Sequence, residues 1–445
     1  MTTNLLWQGS SFRVSSKGSL LLSVNEQNVL DLGYAQQSNI RSTDLIHVLE
    51  NIQTSKVFRW DKAKRRVLWG DQLLPEVDME VIHLKLSQDY GINFPPKQTR
   101  LAIEAMALKN SFDSFEEKLL EIERLVEPIP INNLSTRYFK TSKPIYDKYL
   151  ELWLTNWVKR QLEPGCYNRT MLVVQGPQNI GKDQFVKILA GETNSTSVGC
   201  TANFKDKDLL TTFNSKSVLL FEELEQTTGR VVEGALKSFL SETSDSYVMK
   251  YKSHAEDHPR RCSYWGSCNK QEFLTDITGN TRFHVIPVEV DSKKGEAINL
   301  ERLKEEREAI ISGAIRLYRK HKEGCYSLEL NQDERNQSEA LNANYLEVSQ
   351  YEEPLAELLE DRTAVCMDKI HEYIHLNLGY IDKRIEKEIK KAMDALGFKA
   401  LSSRKIPCSG RKKDVRPWVR KDGTKPDYFE IANFYQDERR GEDDF

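Results

Sequence analysis

The run Gly176-Pro177-Gln178-Asn179-Ile180-Gly181-Lys182 sets two glycines and a lysine at the G-x-x-x-x-G-K spacing of a phosphate-binding loop. A short apolar stretch, Met171 to Gln175, precedes it, and the helical pattern Asp183-Gln184-Phe185-Val186-Lys187-Ile188-Leu189 follows. Glycines at both ends let the backbone turn so that several N–H groups face one anion, and the helix start adds its positive end. Lys182 is expected to reach the outer phosphates of a nucleoside triphosphate, with Gly176 through Asp183 as the contact set. A serine or threonine normally follows the lysine to bind Mg²⁺; here Asp183 stands there. A carboxylate is also a hard oxygen ligand, so Asp183 is a candidate metal ligand. The plain alternative is a chance match in a glycine-bearing turn, and the flanking strand and helix argue against it.

A second constellation is Ser217-Val218-Leu219-Leu220-Phe221-Glu222-Glu223-Leu224-Glu225. An apolar strand ending in paired carboxylates supplies what hydrolysis needs beside such a loop: one acid for the metal shell, one to polarise water. Glu222 is assigned to the metal and Glu223 to the water, with Glu225 as the alternative base. Tyr264 through Asn269 is a strand ending in an amide that suits a γ-phosphate sensor. Arg282 follows closely and suits a cation inserted into a neighbouring subunit's site, with Arg260 or Arg261 as the runner-up. Alone, an acidic turn or a single arginine is more simply a solvated surface feature.

Two basic patches stand apart from the phosphate chemistry. Tyr247 through His254 alternates apolar and basic residues and reads as a hairpin strand with a cationic face. Lys250, Lys252 and His254 would then track the phosphates of single-stranded nucleic acid, with Tyr251 available for stacking. Near the end, two amphipathic helical stretches, Met367 to Leu378 and Asp382 to Leu396, lead into Arg411-Lys412-Lys413 and Arg416-Pro417-Trp418-Val419-Arg420. Short helices followed by a basic, Trp-bearing hairpin match a winged-helix pattern that would contact duplex DNA. The competing reading is a solvated loop balanced by the acidic tail Glu442-Asp443-Asp444.

These motifs need an α/β scaffold, and the chain is long enough for several domains. Its 445 residues, 39% hydrophobic and 29% charged, are ordinary for a globular protein. A net charge of −3 gives no global signal for nucleic acid, so any such site is a local patch. No apolar run approaches a membrane span and no signal-peptide pattern opens the chain, so a cytoplasmic protein is expected. Seven cysteines without a CxxC pair point to reduced thiols and no structural zinc. Residues 1–145 read as a mixed α/β, mostly helical N-terminal domain, with Gly18 to Asn25 as the start of a strand or an apolar-faced segment and a small hairpin of Val57–Trp60 and Arg66–Trp69. Residues 146–325 alternate strands (171–175, 217–221, 262–268, 283–290) with helices, as a largely parallel sheet requires. Residues 326–353 read as a polar linker, and 354–445 as the winged-helix-like domain. The aromatics Tyr146, Tyr149, Trp153 and Trp157 sit at helical spacing and are expected to form a buried helix face rather than a stacking surface.

With these residues assembled, the chain resembles the virulence-associated E family, superfamily 3 helicase-like ATPases of the AAA+ class found in phages and mobile elements. Pro164-Gly165-Cys166, Ala235 through Ser241, Asp245, Tyr251, and the runs Gly266-Ser267-Cys268-Asn269, Phe273-Leu274-Thr275-Asp276 and Thr278 through Phe283 carry the resemblance. It implies a ring, expected as a hexamer, binding ATP and Mg²⁺ between subunits and moving hairpins along DNA. The implied role is replication initiation or unwinding, with priming left to a separate primase. Three positions depart from the family pattern: Asp183 replaces Ser or Thr, Asn179 a common glycine, and Thr281 a frequent second arginine. Asp183 keeps open a hydrolysis-poor DNA-binding or assembly protein, and an anti-phage defence ATPase on the same scaffold is a further alternative.

Overall fold

The computed structural model describes residues 5–7, 10–14, 19–24, 29–34, 45–46, 49, 58–90, 95–199, 202–226, 230–248, 254–274, 280–346, 349–378, 383–401, 416–428 and 431. The chain divides into two compact units, Met1–Asn344 and Tyr345–Phe445.

The first unit opens with an antiparallel meander of β1 (Leu5–Trp7), β2 (Ser10–Val14), β3 (Ser19–Val24) and β4 (Val29–Tyr34). A second small sheet joins β5 (Phe58–Asp61), β6 (Arg66–Trp69) and β7 (Gln72–Leu73). The expected hairpin is therefore present, but the N-terminal region holds more strand than the helical periodicity implied. Phe58, Val67, Ile82, Ile103 and Met106 form a separate small core between this sheet and the helices Glu76–Tyr90 and Pro96–Lys109.

The central sheet is wholly parallel. It contains β8 (Met171–Gln175), β9 (Ser195–Val198), β10 (Val218–Phe221), then beyond an antiparallel hairpin of β11 (Ser244–Tyr247) and β12 (Glu256–Pro259), β13 (Ser263–Cys268) and β14 (Phe283–Pro287). The order across the sheet is β14-β8-β13-β10-β9. Four of the five strands fall where apolar runs predict them. β9 was not legible because Ser195-Thr196-Ser197-Val198 is polar and lies at the sheet edge. Strands buried on both faces read as continuous apolar runs; an edge strand need not.

Helices Ser114–Leu125, Pro144–Leu162, Lys182–Ala190 and Leu300–Lys322 share one hydrophobic core with the sheet. Tyr146, Tyr149, Trp153 and Trp157 lie in that core, as their spacing predicted, and Trp153 Nε1 donates to the Tyr264 carbonyl at 2.8 Å. Because Leu119, Ile122 and Ile131 also belong to it, the central core begins before the expected boundary at residue 145. The segment 326–353 likewise differs from a linker. It contains the helix Gln332–Asn342, started by an Asn331/Glu334 capping box. Ser338, Leu341 and Asn342 are buried, and Asn342 Nδ2 donates to the Phe283 carbonyl at 3.0 Å. So little of that helix is buried that its sequence reads as polar.

A set of cations fixes the amino end of the sheet. Arg160, fully buried, donates to the Cys262 carbonyl at 2.6 Å, and Gln161 to the Arg261 carbonyl at 2.6 Å. Arg260 binds Asp245 through two hydrogen bonds of 2.9 and 2.5 Å and covers the Phe239 ring at 4.1 Å. This buried pair holds the base of the β11–β12 hairpin. β11 ends at Tyr247 and β12 begins at Glu256, so the strand expected over Tyr247 to His254 is described only at its two ends. His254 is exposed there, while Lys250, Tyr251 and Lys252 lie outside the described residues.

The second unit holds β15 (Ala364–Cys366), β16 (Phe398–Ala400) and β17 (Pro417–Arg420) in an antiparallel sheet of order β15-β17-β16. The helices Glu352–Leu359, Met367–Leu378 and Lys383–Ala395 pack on it through Leu355, Ile370, Ile374, Ile389, Met393 and Trp418. Both expected amphipathic helices are present. Among the described residues, no helix of the chain is long and apolar enough to cross a membrane.

Removing one member of a buried, hydrogen-bonded ion pair strands the other's charge, at about 3–5 kcal/mol. Asp245→Ala is accordingly expected to lower stability by about that amount in urea unfolding, and Asp257→Ala, at the exposed edge of the same hairpin, by less than ~1 kcal/mol. Equal effects would show that the Arg260 pair does not anchor the hairpin.

Candidate nucleotide site

The parallel register brings three loops together at the carboxyl ends of β8, β13 and β10. Gln175 lies opposite Cys268, and Phe221 opposite Gly266. The Gly176 amide donates to the Cys268 carbonyl at 3.0 Å, which clamps the start of the Gly176–Lys182 loop against the end of β13. Within the loop Asn179 has φ 62° and Gly181 φ 94°, both left-handed. Asparagine tolerates that conformation better than most non-glycine residues, which explains how Asn179 replaces a glycine. Lys182 opens the helix, and Gly181 contributes no side-chain cap, so the first amides of the helix retain their need for acceptors.

Lys182 is 6% exposed, and its ammonium donates to the carbonyls of Gly176 at 2.7 Å and Pro177 at 2.6 Å and to Asn269 Oδ1 at 2.9 Å. Asn269 in turn donates to Glu225 Oε1 from Nδ2 at 3.0 Å and from its backbone at 3.2 Å. The loop lysine, the amide at the end of β13 and an acid after β10 therefore form one hydrogen-bonded chain. Burial alone would raise the Glu225 carboxyl, but hydrogen bonds from its own backbone, the Cys268 thiol and Asn269 hold it below its usual range.

Asp183 lies beside this chain. Burial pushes its carboxyl up, the Glu222 carboxylate adds to that, and a hydrogen bond with Ser267 opposes it. Its Oδ1 is buried with no hydrogen-bond partner. Glu222 accepts from Ser197 Oγ at 2.7 Å and lies 3.5 Å from Lys187 Nζ. Two carboxylates thus face one region, and one of them has an unsatisfied buried oxygen. Glu223 is exposed and left-handed at φ 54°, which turns the chain sharply between the two acids. Leu224 behind it is buried against Gly266, where a Cβ would collide with Leu224 Cδ1. The glycine on β13 thereby lets the acidic turn approach the sheet.

The arginines separate clearly. Arg260 and Arg261 are buried and ion-paired, Arg260 with Asp245 and Arg261 with Asp113 at 2.8 Å, so neither is available to a neighbour. Arg282 is half-buried, with Nε donating to Ser241 Oγ at 3.3 Å. It precedes β14, at the end of the sheet opposite its own Gly176–Lys182 loop. At the C-terminal patch, Arg420 donates to the carbonyls of Leu359, Glu360 and Arg362 at 2.8–3.0 Å. It caps the helix Glu352–Leu359 rather than presenting a free cation to nucleic acid. Arg416 is exposed, and Arg411, Lys412 and Lys413 lie outside the described residues. Ser197 and Ser267 were missed as site residues, since small hydroxyls in short strands carry no spacing signal.

A parallel sheet whose glycine loop, acids and amide converge at the carboxyl ends is the crevice where open α/β folds bind ligands. The protein belongs to the virulence-associated protein E-like family, whose domain matches residues 124–347. No curated protein matches the sequence. Among solved structures, the apo NrS-1 C-terminal region (305-718) is similar with a TM-score of 0.50 at 12% identity, covering 86% of this chain and all of that one. Two A-form apo structures of the same region give TM-scores of 0.45 and 0.46 at 12% and 11% identity. The first covers 86% of this chain and 100% of that one, the second 84% and 98%. At these identities the likeness is one of fold.

The raised Asp183 carboxyl has a consequence for stability. The unfolded chain loses this proton at lower pH than the folded one, so folding is disfavoured progressively as pH rises through that interval. Asp183→Asn is therefore expected to melt higher than the parent at pH 8 without nucleotide, with a gap that shrinks on acidification toward pH 4. Scanning calorimetry across that range checks this; a gap that widens on acidification would contradict the assignment.

Proposed function

We propose that the protein is a DNA-dependent ATPase of the superfamily 3 helicase type that works as a ring, expected as a hexamer, in the replication of a phage or other mobile element. The observation that carries this reading is the convergence of Lys182, Asp183, Glu222 and Asn269 at the ends of three adjacent parallel strands. In it, Gly176 through Lys182 cradle the phosphates of ATP, and Lys182 exchanges its two backbone carbonyls for phosphate oxygens. Asp183 and Glu222 fit Mg²⁺: both are hard oxygen donors, and Asp183 Oδ1 lacks any other partner. Among the described residues no cluster of three ligands stands ready for a metal. That suits an ion held by one or two carboxylates with the rest of its shell from phosphate and water. When bound, the ion would neutralise charge on the transferring phosphate.

Glu223 or Glu225 would polarise the attacking water and Asn269 would report the state of the terminal phosphate. Each five-residue strand spans about 17 Å, so Arg282 is remote from its own loop. It can serve only the site of a neighbouring copy, which is why the reading requires an oligomer. The β11–β12 hairpins would line a pore around single-stranded DNA, and the second unit, read as winged-helix-like, would contact duplex DNA. Any priming would come from a separate primase.

Asp183 supports a second reading, a nucleotide-binding assembly protein with poor turnover, because a buried carboxylate repels phosphate whenever no metal lies between them. Phosphate release with and without single-stranded DNA separates the two. Lys182→Ala should abolish turnover and nucleotide binding. Arg282→Ala should keep binding but lose turnover by about 10³-fold, and mixing it with Lys182→Ala subunits should restore part of it. A parent that binds ATP without turning it over, yet gains activity as Asp183→Ser, would favour the assembly protein. Absence of any nucleotide affinity would remove both.

A further inference from the structure

A second cleft of about 590 Å³ opens within the first unit, at the end of the sheet opposite the phosphate loop. Thr170, just before β8, and His284, near the start of β14, form its floor. Its walls come from the helix Pro144–Leu162, the lead-in Tyr167–Arg169 and the turn after Leu300–Lys322. Tyr167 is 58% exposed, unusual for an aromatic on a folded domain, and the Arg169 guanidinium lies 5.9 Å from its ring centroid. Lys159 and Arg169 form no salt bridge among the described residues, whereas Arg335 on the far wall is paired with Glu329 at 2.9 Å. The nearer wall thus carries two cations without a salt bridge, Lys159 with the Glu163 carboxylate in its electrostatic reach and Arg169 beside the exposed Tyr167 ring.

Its position connects this wall to the hairpin. The Gly165 amide donates to the Arg260 carbonyl at 2.8 Å, and Gly165 packs on Pro259, the last residue of β12. Gly165 has φ 84°, a left-handed turn, and Tyr167 two residues on lines the cleft.

We propose that Tyr167, Arg169 and Lys159 form a second single-stranded DNA contact on each subunit, in which a base stacks on Tyr167 and the two cations hold adjacent phosphates. A flat ring with flanking cations is the recurring device for sequence-tolerant single-strand binding, and the cleft has room for one or two nucleotides. This contact rests on the DNA reading above and extends it from the hairpin tip to the lower face of the sheet.

Fluorescence anisotropy of the full chain with a labelled oligothymidylate tests it. Tyr167→Ala should weaken binding about tenfold, while Tyr167→Phe, which keeps the ring, should remain within about twofold of the parent. Lys159→Ala with Arg169→Ala should reduce the slope of log affinity against log salt by about 1 to 1.5, since two phosphate contacts are lost. DNA-free nucleotide affinity should stay at the parental level in all of these, because the Gly176–Lys182 loop is at the other end of the sheet. A parent that binds DNA while every variant matches it in affinity and salt slope would overturn the cleft contact alone. A parent with no affinity for single strands would overturn both the contact and the DNA reading beneath it.

Discussion

An ammonium with only 6% of its residue exposed must find acceptors, and Lys182 finds three within 2.6–2.9 Å. Two are carbonyls of its own loop and the third is the side chain of Asn269. Much else at the carboxyl edge follows from that demand. Burial lowers the lysine's affinity for its proton, and the nearby Asp183, Cys268 and Glu225 side chains oppose that. The same donor joins the loop to β13 and, through Asn269, to Glu225.

The opposite end of the sheet is organised by arginines that point inward. Arg160 and Arg260 are buried beneath the start of β13 and donate to carbonyls and to Asp245. They hold the hairpin base in register with a strand that is buried along its whole length. β13 thus joins two differently stabilised ends: hydrogen bonds to backbone carbonyls at Cys262, and the lysine-linked amide at Asn269. Close packing leaves such a strand little freedom to deform, so it transmits displacement rather than absorbing it. The N-terminal hairpin reaches the same region, where Arg65 donates to the Tyr247 hydroxyl at 2.8 Å.

The glycine-bearing loop after β8, the acid-tipped strand and the amide-tipped strand were legible because each couples an apolar run to a polar group at its end. The buried aromatic face of Pro144–Leu162 was legible for the same kind of reason, a period that matches a helix. What escaped had no such pairing. β9 is polar at an edge, the helix Gln332–Asn342 buries a few residues only, and of the meander β1–β4 only the apolar run at β3 stood out. Charge was the least informative signal: Arg260, Arg261 and Arg420 resemble ligand-binding cations in sequence, yet each is committed to Asp245, Asp113 or a helix end. A one-dimensional pattern reveals a cation but not the acceptor folded against it.

Glu223 shows how that commitment can create a site rather than remove one. A non-glycine residue at φ 54° costs about 1–2 kcal/mol, and such strain persists only where the surroundings enforce it. Here the enforcement is visible on one side in Leu224, buried against Gly266, and beyond it in Glu225, held by Asn269. On the other side Glu222 is held by Ser197 and Lys187. With both neighbours fixed, the residue between them is forced out of the sheet direction and into the open. Three acids that would otherwise alternate along an extended strand are thereby given three different surroundings: a basic edge, exposure at the turn, and the buried amide. That divergence gives one short sequence three carboxylates with three different sets of partners, one of them linked through Asn269 to Lys182.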